Sequence, residues 1–230
     1  MAEQAYVLKE IPCSIDRLKL AKRLHVDLDS ADGRGLMRMV NDAEVEACPK
    51  AYYRIAYIDA RGEGWVEIDG LRFNSRVLSV NLEQANRVFV FAATCGVELD
   101  RLFRGVTDLL ESFWADAIKE AFLRQVFSAM NRHIEETFKP GKTSVMSPGS
   151  LEDWPITQQV PLFGLLGDVE AEIGLELLDS LLMRPTKSIS GLRFTTETGF
   201  ESCQLCPREV CEGRRAPYQP ELMTHRYQRE

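Results

Sequence analysis

Three cysteines near the end of the chain have the residue type and the spacing for metal chemistry. Cys203, Cys206 and Cys211 form a C-x2-C-x4-C pattern in a hydrophilic stretch that also contains Pro207 and Gly213. Thiolates at such short spacing converge on a soft metal, so the pattern predicts a zinc ion or an iron–sulfur cluster. The alternative is three reduced surface thiols. The candidates for a further ligand are Cys13, Cys48, Cys95 or an outside group.

The composition of the chain limits the classes of partner that it could have. Its 230 residues include 35 acidic and 28 basic side chains, with a formal net charge of −7. Nucleic acid is not an expected partner, because no basic stripe is present to neutralise phosphates. A signal-peptide pattern and a membrane-spanning apolar run are both missing, so we expect a cytoplasmic protein with no membrane partner. Cysteines in that compartment serve metal or redox roles more often than disulfides.

The first half of the chain is predicted to contain a helix followed by several strands. Ser14 is a candidate cap for a helix that ends near residue 25, and residues 29–35 are expected to break it. Aromatic and branched residues predict a hairpin from residues 51–60 and 65–73. The remaining expectations are a short strand at 76–80 and, in the nearly continuous apolar run 87–96, a central strand.

Helical periodicity predicts one long helix between Asp108 and Lys139. Its apolar stripe is wide, so we expect this helix to pack across a sheet and to end at Pro140-Gly141. On its surface, Glu120 lies four residues before Arg124, which is the spacing of an ordinary helical ion pair.

Residues 144–198 combine a loop, a helix and two apolar runs. Pro155 suits the first turn of the helix, whose apolar face continues until Gly174 stops it. Residues 175–183 are ambiguous between helix and strand by periodicity alone, whereas 188–198 alternate as a strand does. Together with the preceding elements, this order predicts an α+β or mixed α/β fold with helices covering a sheet.

Several other conspicuous residues are expected to have ordinary structural roles. We interpret Trp154 as a core or interface aromatic, Cys95 as a buried inert thiol and Arg214-Arg215 as surface. The histidines lie far apart and beside no nucleophile motif, and neither a hydrolase elbow nor a Gly-rich phosphate loop is present. The sequence therefore contains no catalytic constellation of its own.

One part of the chain carries the motifs of a known family. Pro148-Gly149 stand in a loop, followed by LLGDVEAEIGLEL and MRPTKSISGLRFT, and upstream Glu120 begins an E-A-F triplet. In this order and spacing, residues 85–200 resemble the activation (reactivation) region of cobalamin-dependent methionine synthase, most closely over 146–198. The resemblance implies an α+β fold with a twisted, largely antiparallel sheet and long helices packed on it. It also implies that the ambiguous run after Gly174 is a strand.

The same resemblance implies a division of the chain and some local differences from the family. Residues 1–200 correspond to an activation-like domain, of which 1–50 match least, and residues 201–230 form a cysteine-containing tail. Where the family has the arginine and tyrosine of its RxxPGY loop, this chain has Val145 and Ser150. A late tyrosine of the family also has no counterpart here.

The resemblance implies a role in reactivating a corrinoid methyl carrier. In the family, inactive cob(II)alamin is methylated with S-adenosylmethionine after a flavodoxin-like protein donates an electron. For this chain, that implies an S-adenosylmethionine site at Glu120, Ser147, Pro148 and Gly149, and cobalamin on the partner. The partner would be a corrinoid protein or a truncated methionine synthase, and the electron donor a flavodoxin- or ferredoxin-like protein. The chain would then act in trans as a component of a methyltransferase system.

An alternative function remains open from the cysteine pattern. On the same fold, the chain would be a redox or interaction module that holds an iron–sulfur cluster or zinc and does not bind S-adenosylmethionine. Iron–sulfur is preferred to zinc because a reactivation system needs electrons.

Overall fold

The computed structural model describes residues 5–227, and an antiparallel β-sheet forms the centre of this part of the chain. The strands are β1 (Ala5–Leu8), β2 (Lys50–Gly62), β3 (Trp65–Ile68), β4 (Leu71–Asn74), β5 (Arg87–Thr94), β6 (Thr143–Met146), β7 (Glu176–Leu177), β8 (Met183–Arg184) and β9 (Ser188–Thr195). In the described residues, a seven-stranded sheet has the order β4-β3-β2-β5-β9-β6, with β1 pairing with β2, and β7 pairs with β8 separately. The predicted α+β fold is therefore confirmed.

Helices cover both faces of the sheet. They are α1 (Arg17–Leu24), α2 (Ala31–Glu46), α3 (Arg76–Asn81), α4 (Val97–Leu102), α5 (Leu109–Phe138), α6 (Gln159–Leu166) and α7 (Val169–Ile173), with short helical turns at Ile156–Gln158, Ser202–Leu205 and Met223–Tyr227. Helices α3, α6 and α7 pack on one face. Helix α5 packs on the other, and α1, α2 and α4 lie along its first half. Within residues 5–227, no helix has the length and apolarity needed to cross a membrane.

Strand β5 is apolar at nearly every position because both of its sides are buried. Alternate side chains of a strand point to opposite faces of the sheet. The side chains that face α3, α6 and α7 are Val88, Val90 and Ala92. Those that face α5 are Phe89, Phe91 and Ala93. The prediction of a central strand from this apolar run is confirmed.

The long helix is also confirmed, and its ends have local causes. Asp108 caps α5, since its carboxylate accepts hydrogen bonds from the backbone amides of Leu110 and Glu111 at 2.9 Å. Lys139 ends the helix in the left-handed conformation with φ of 46°, and Pro140 follows it. Because the cap and the stop each lie within a few residues of a helix end, the local sequence predicts where the helix begins and ends.

Helix α1 ends at Leu24, close to the predicted residue 25, but residues 31–35 of the segment expected to break it begin helix α2. Ser30 is the N-cap, and its hydroxyl accepts a hydrogen bond from the amide of Gly33 at 3.0 Å. Close packing requires a glycine at that position. A methyl group on Gly33 would lie 2.2 Å from the carbonyl oxygen of Asp27, so this residue serves contact with the preceding loop and does not end a helix.

The prediction of a strand at residues 76–80 is also wrong, because they form most of α3. Ser75 caps the helix by accepting a hydrogen bond from the amide of Leu78 at 2.9 Å. The carboxylate of Asp153, which is distant in sequence, accepts hydrogen bonds from the Ser75 hydroxyl and from the amide of Val77. This tertiary cap satisfies the first turn of a six-residue helix that is too short to be stable alone.

Other elements are capped or divided at residues that the sequence did not predict. Asp16, and not Ser14, caps α1, and the second strand of the hairpin is divided into β3 and β4 at Asp69-Gly70. The helix after residue 155 is interrupted at Gly167 into α6 and α7, whereas its stop at residue 174 is confirmed. Residues 175–183 do not form the single strand that the resemblance implies: they contain the two-residue strand β7, a turn and the first residue of β8.

The end of the described chain packs against the core. Tyr227 is completely buried, and its ring lies 6.0 Å from that of Phe200 between centroids. Its hydroxyl donates a hydrogen bond to Asn81 Oδ1 at 3.0 Å, and its carbonyl accepts one from Arg76. The residues after β9 therefore contribute to the same hydrophobic core as the sheet.

Candidate functional site

Glu120 lies on α5 between two arginines. Its carboxylate accepts hydrogen bonds from Arg23 Nη2 at 2.7 Å and from Arg124 Nη2 at 2.6 Å. Partial burial alone would raise the pKa of the Glu120 carboxyl, but the hydrogen bonds from Arg23 and Arg124 outweigh it and the pKa is lowered. Glu120 is therefore held as a carboxylate. The expected ion pair with Arg124 is present, and Arg23 of α1 adds to it.

A cleft of about 190 Å³ opens beside this carboxylate, and we call it the Glu120 cleft. Its walls come from α1, α5, the loop before β9 and the cysteine-containing tail. Lys187 Nζ lies 3.2 Å from Asp116 Oδ2 across it, and Arg23 Nε lies 3.2 Å from Glu212 Oε2. The lining residues are Arg23, Leu24, Phe113, Asp116, Ala117, Glu120, Lys187 and Glu212.

The chemistry of the Glu120 cleft is that of a site with both signs of charge. The carboxylates of Glu120 and Asp116 favour a cationic group, and the guanidinium of Arg23 and the ammonium of Lys187 favour an anionic one. Phe113 is 60% exposed and adds an apolar wall. These groups are paired with one another, so a zwitterion, for example the α-amino and α-carboxylate groups of an amino acid, would bind by exchanging with the internal ion pairs.

The loop Ser147–Ser150 follows β6 and is held by its own backbone. Gly149 has φ of +80°, and its amide donates a hydrogen bond to the carbonyl of Trp154 at 2.7 Å. The amide and hydroxyl of Ser150 both donate to the carbonyl of Ser147. A Cβ at Gly149 would also lie 2.9 Å from Ile156, so both conformation and packing require glycine there. Trp154 is completely buried beneath the loop, as predicted for a core aromatic.

Ser147 and Glu120 lie on the same side of the sheet. A Cβ on Gly191 of β9 would lie 2.8 Å from Ser147 Oγ and 3.0 Å from Phe91. Phe91 in turn contacts Phe127 of α5, with ring centroids 5.5 Å apart. Glu120 precedes Phe127 by two helical turns, which places it on the same face of α5 and about 10 Å along the helix axis. The two predicted parts of the site thus lie on the same face of the sheet without direct contact, and the rings of Phe91 and Phe127 lie between them.

The three tail cysteines are not arranged as metal ligands. Cys203 and Cys206 are half-buried and Cys211 is exposed. Their loop is folded around the guanidinium of Arg214, which donates to the carbonyls of Cys203 at 3.2 Å and Cys206 at 3.4 Å. Across residues 5–227, no group of three His, Cys, Asp or Glu side chains is placed to hold a metal ion. Arg214, interpreted from the sequence as surface, instead organises this loop.

The thiol of Cys95 is expected to resist alkylation in the folded protein. It is completely buried, and burial raises its pKa to about 12. Because the thiolate is the reactive form, iodoacetamide at about pH 8 should modify the exposed Cys48 and Cys211 and leave Cys95 unmodified. Peptide mass spectrometry checks this, and labelling in denaturant provides the control in which all six cysteines react. Labelling of Cys95 as fast as Cys48 would contradict a buried position.

Three residues of the cleft have no signal in the sequence. Arg23 belongs to a basic helix face that reads as solvated surface, and Lys187 and Glu212 are isolated charges in loops. They line the cleft only because α1, the loop before β9 and the tail converge on α5. Of the predicted site residues, the structure links Glu120 to Glu212 of the cysteine-containing tail through Arg23. It does not bring Ser147, Pro148 and Gly149 into the Glu120 cleft.

Comparisons with known proteins define the fold class. No protein-family model and no curated protein sequence matches this chain. Among solved structures, the chain is similar to the MetH reactivation domain bound to AdoHcy, with a TM-score of 0.60 and 16% sequence identity. The similarity covers 86% of this chain and 80% of that one. The chain therefore has the fold of the MetH reactivation domain, as its sequence motifs imply.

Proposed function

We propose that this chain is an accessory component for the reactivation of a corrinoid methyl carrier. It would bind S-adenosylmethionine on the face of the sheet that carries the Glu120 cleft and the loop Ser147–Gly149, and would present it to a partner in trans. Two findings support the proposal: the fold similarity to a reactivation domain bound to AdoHcy, and the ionised Glu120 in a cleft of mixed charge. The proposal depends chiefly on the ionised Glu120 and the charges of its cleft.

Side chains of the Glu120 cleft and of the loop Ser147–Gly149 match the chemical groups of S-adenosylmethionine. Its ammonium and sulfonium are cationic and match Glu120 and Asp116, and its carboxylate matches the basic side chains of the cleft. At the other end lies the loop Ser147–Gly149, whose conformation is fixed by the positive φ of Gly149 and its packing against Ile156. Ser147 adds a hydroxyl that can donate or accept a hydrogen bond. Because the cleft and the loop do not touch, a ligand that contacts both must be elongated. A nucleoside linked to an amino acid has such a shape.

The partner in this proposal carries the cobalamin. It is a corrinoid protein or a truncated methionine synthase, and a flavodoxin- or ferredoxin-like protein supplies the electron that reduces cob(II)alamin. S-adenosylmethionine then supplies the methyl group, and this chain binds and orients it. The test is to mix the chain with a cobalamin-loaded partner, S-adenosylmethionine and a reductant, and to follow methylcobalamin by its visible absorbance. Methylation at the same rate without the chain would overturn the proposal.

Glu120→Gln is expected to weaken S-adenosylmethionine binding about tenfold, which corresponds to about 1.4 kcal/mol. The substitution removes the negative charge that attracts the ligand and leaves Arg23 and Arg124 to repel its cationic groups. Isothermal titration calorimetry measures the change. Glu136→Gln is the matched control, because Glu136 is an exposed carboxylate on the same helix outside the cleft.

Two outcomes of this titration would contradict the proposal. Absence of heat at millimolar ligand with the unsubstituted chain would remove the methyl-donor role. Equal affinities for the unsubstituted chain and Glu120→Gln would place the ligand elsewhere.

The proposed alternative, an iron–sulfur or zinc module at Cys203, Cys206 and Cys211, would need the loop around Arg214 to rearrange. Metal analysis of the purified protein, with visible absorbance before and after Cys206→Ser, tests that alternative.

A further inference from the structure

The tail places a carboxylate of its own in the Glu120 cleft. Arg23 contacts two acidic side chains at once, Glu120 through Nη2 at 2.7 Å and Glu212 through Nε at 3.2 Å. Both hydrogen bonds raise the pKa of the Arg23 guanidinium, that to Glu120 most. Arg23 and Glu212 are 189 residues apart in sequence, so their contact is made only by the folded tail.

The position of Glu212 is determined by a closed loop in the tail. The amide of Gln219 donates to the carbonyl of Gln204 at 2.8 Å, which closes residues 204–219 at their base. Inside, the guanidinium of Arg214 donates to the carbonyls of Cys203, Cys206, Arg208 and Ala216. This is the form of an Ω-loop, a compact surface loop whose ends are close together. Glu212 belongs to this loop and lines the cleft.

The two contacts of Arg23 differ in how easily they are broken. The side chain of Glu120 is 29% exposed and that of Arg23 34%, whereas the side chain of Glu212 is 75% exposed. Ion pairs between exposed side chains are weak, since water competes with both partners. Glu212 is therefore an occupant that a carboxylate of a ligand can displace, while Glu120 stays.

We propose that Arg23 is the carboxylate-binding group of the Glu120 cleft and that Glu212 occupies it when no ligand is bound. The ligand class is an α-amino acid or a molecule that carries one, whose carboxylate takes the place of the Glu212 carboxylate on Arg23. Its cationic groups then face Glu120 and Asp116. The inference rests on the proposed function for the identity of the ligand. It adds that the tail loop regulates the site by competition between carboxylates.

Glu212→Gln is expected to bind S-adenosylmethionine about two- to fivefold more tightly than the unsubstituted chain, because the internal competitor has lost its charge. Binding of 5′-methylthioadenosine, which has no carboxylate, should be unchanged by the same substitution. Arg23→Gln should weaken binding of S-adenosylmethionine and leave that of 5′-methylthioadenosine unchanged. Calorimetry measures all of these affinities. Glu209→Gln is the matched control, since Glu209 is an exposed carboxylate in the same loop.

The outcomes separate this inference from the proposed function. If the unsubstituted chain binds S-adenosylmethionine and Glu212→Gln binds it equally well, the competition is overturned and the function stands. If Glu212→Gln increases the affinity for both ligands equally, the tail obstructs the cleft without using its carboxylate. That result also overturns the inference. If neither the unsubstituted chain nor Glu212→Gln binds S-adenosylmethionine, the proposed function is overturned, and the inference with it.

Discussion

Tyr227→Ala is expected to lower the free energy of unfolding by about 3–5 kcal/mol, the usual effect of deleting a buried aromatic side chain. Tyr227 is completely buried among the residues that cover the sheet, although it lies near the end of the chain. The substitution leaves a cavity beside Phe200 and removes the hydrogen bond to Asn81. The buried amide of Asn81 then lacks a partner for its oxygen, which adds to the cost.

Urea denaturation followed by circular dichroism measures this change, and two further variants divide it into its parts. Tyr227→Phe keeps the ring and removes only the hydroxyl, so a loss of about 1 kcal/mol is expected. Tyr218→Ala is the control, because Tyr218 belongs to the same tail but is 44% exposed. If Tyr227→Ala were as stable as Tyr218→Ala, the tail would not be part of the core.

Gly191→Ala is expected to lower the free energy of unfolding by about 1–3 kcal/mol, the usual cost of overpacking a well-packed interior. The new methyl group would lie 2.4 Å from the carbonyl oxygen of Met146 and 2.8 Å from Ser147 Oγ. Met146 is the last residue of β6 and pairs with Leu192 beside the glycine. The end of β6 must therefore move, and the loop that begins at Ser147 moves with it.

Gly191→Ala should also weaken the binding of S-adenosylmethionine, because it displaces one end of the proposed site. Denaturation in urea and calorimetry at a temperature where the variant is folded separate the two effects. Gly105→Ala is the control, since a Cβ at Gly105 has no neighbour within 4 Å and its φ is not in the left-handed region. Unchanged affinity in a destabilised Gly191→Ala would show that the ligand does not use the Ser147 loop.

The elements that the sequence predicts correctly are those with local causes. Helix α5 has a regular apolar period and a cap at Asp108, both visible within a few residues. Strands β5 and β9 are runs of apolar or alternating residues. The motif around Pro148-Gly149 and the E-A-F triplet at Glu120 indicate the fold, and the similarity to the MetH reactivation domain confirms it at 16% identity.

The elements predicted wrongly depend on contacts between distant residues. The sequence of helix α3 predicts a strand because its residues are branched and apolar. The helix forms because its cap is completed by Asp153, 78 residues from Ser75. Gly33 reads as a helix breaker, whereas its lack of a side chain permits the contact with the loop before α2. No local pattern contains this information, because the partner that decides the conformation is elsewhere in the chain.

The sequence by itself determined the fold class and marked Glu120, the loop Ser147–Gly149 and the tail cysteines as candidates for chemistry. Only the tertiary structure decided what surrounds them. It placed Arg23 on Glu120 across 97 residues of sequence and Glu212 on Arg23 across 189. It also turned the carbonyls of the cysteine loop toward Arg214. Spacing along the chain predicts neighbours within an element, whereas opposite charges from separate elements meet only when the elements pack.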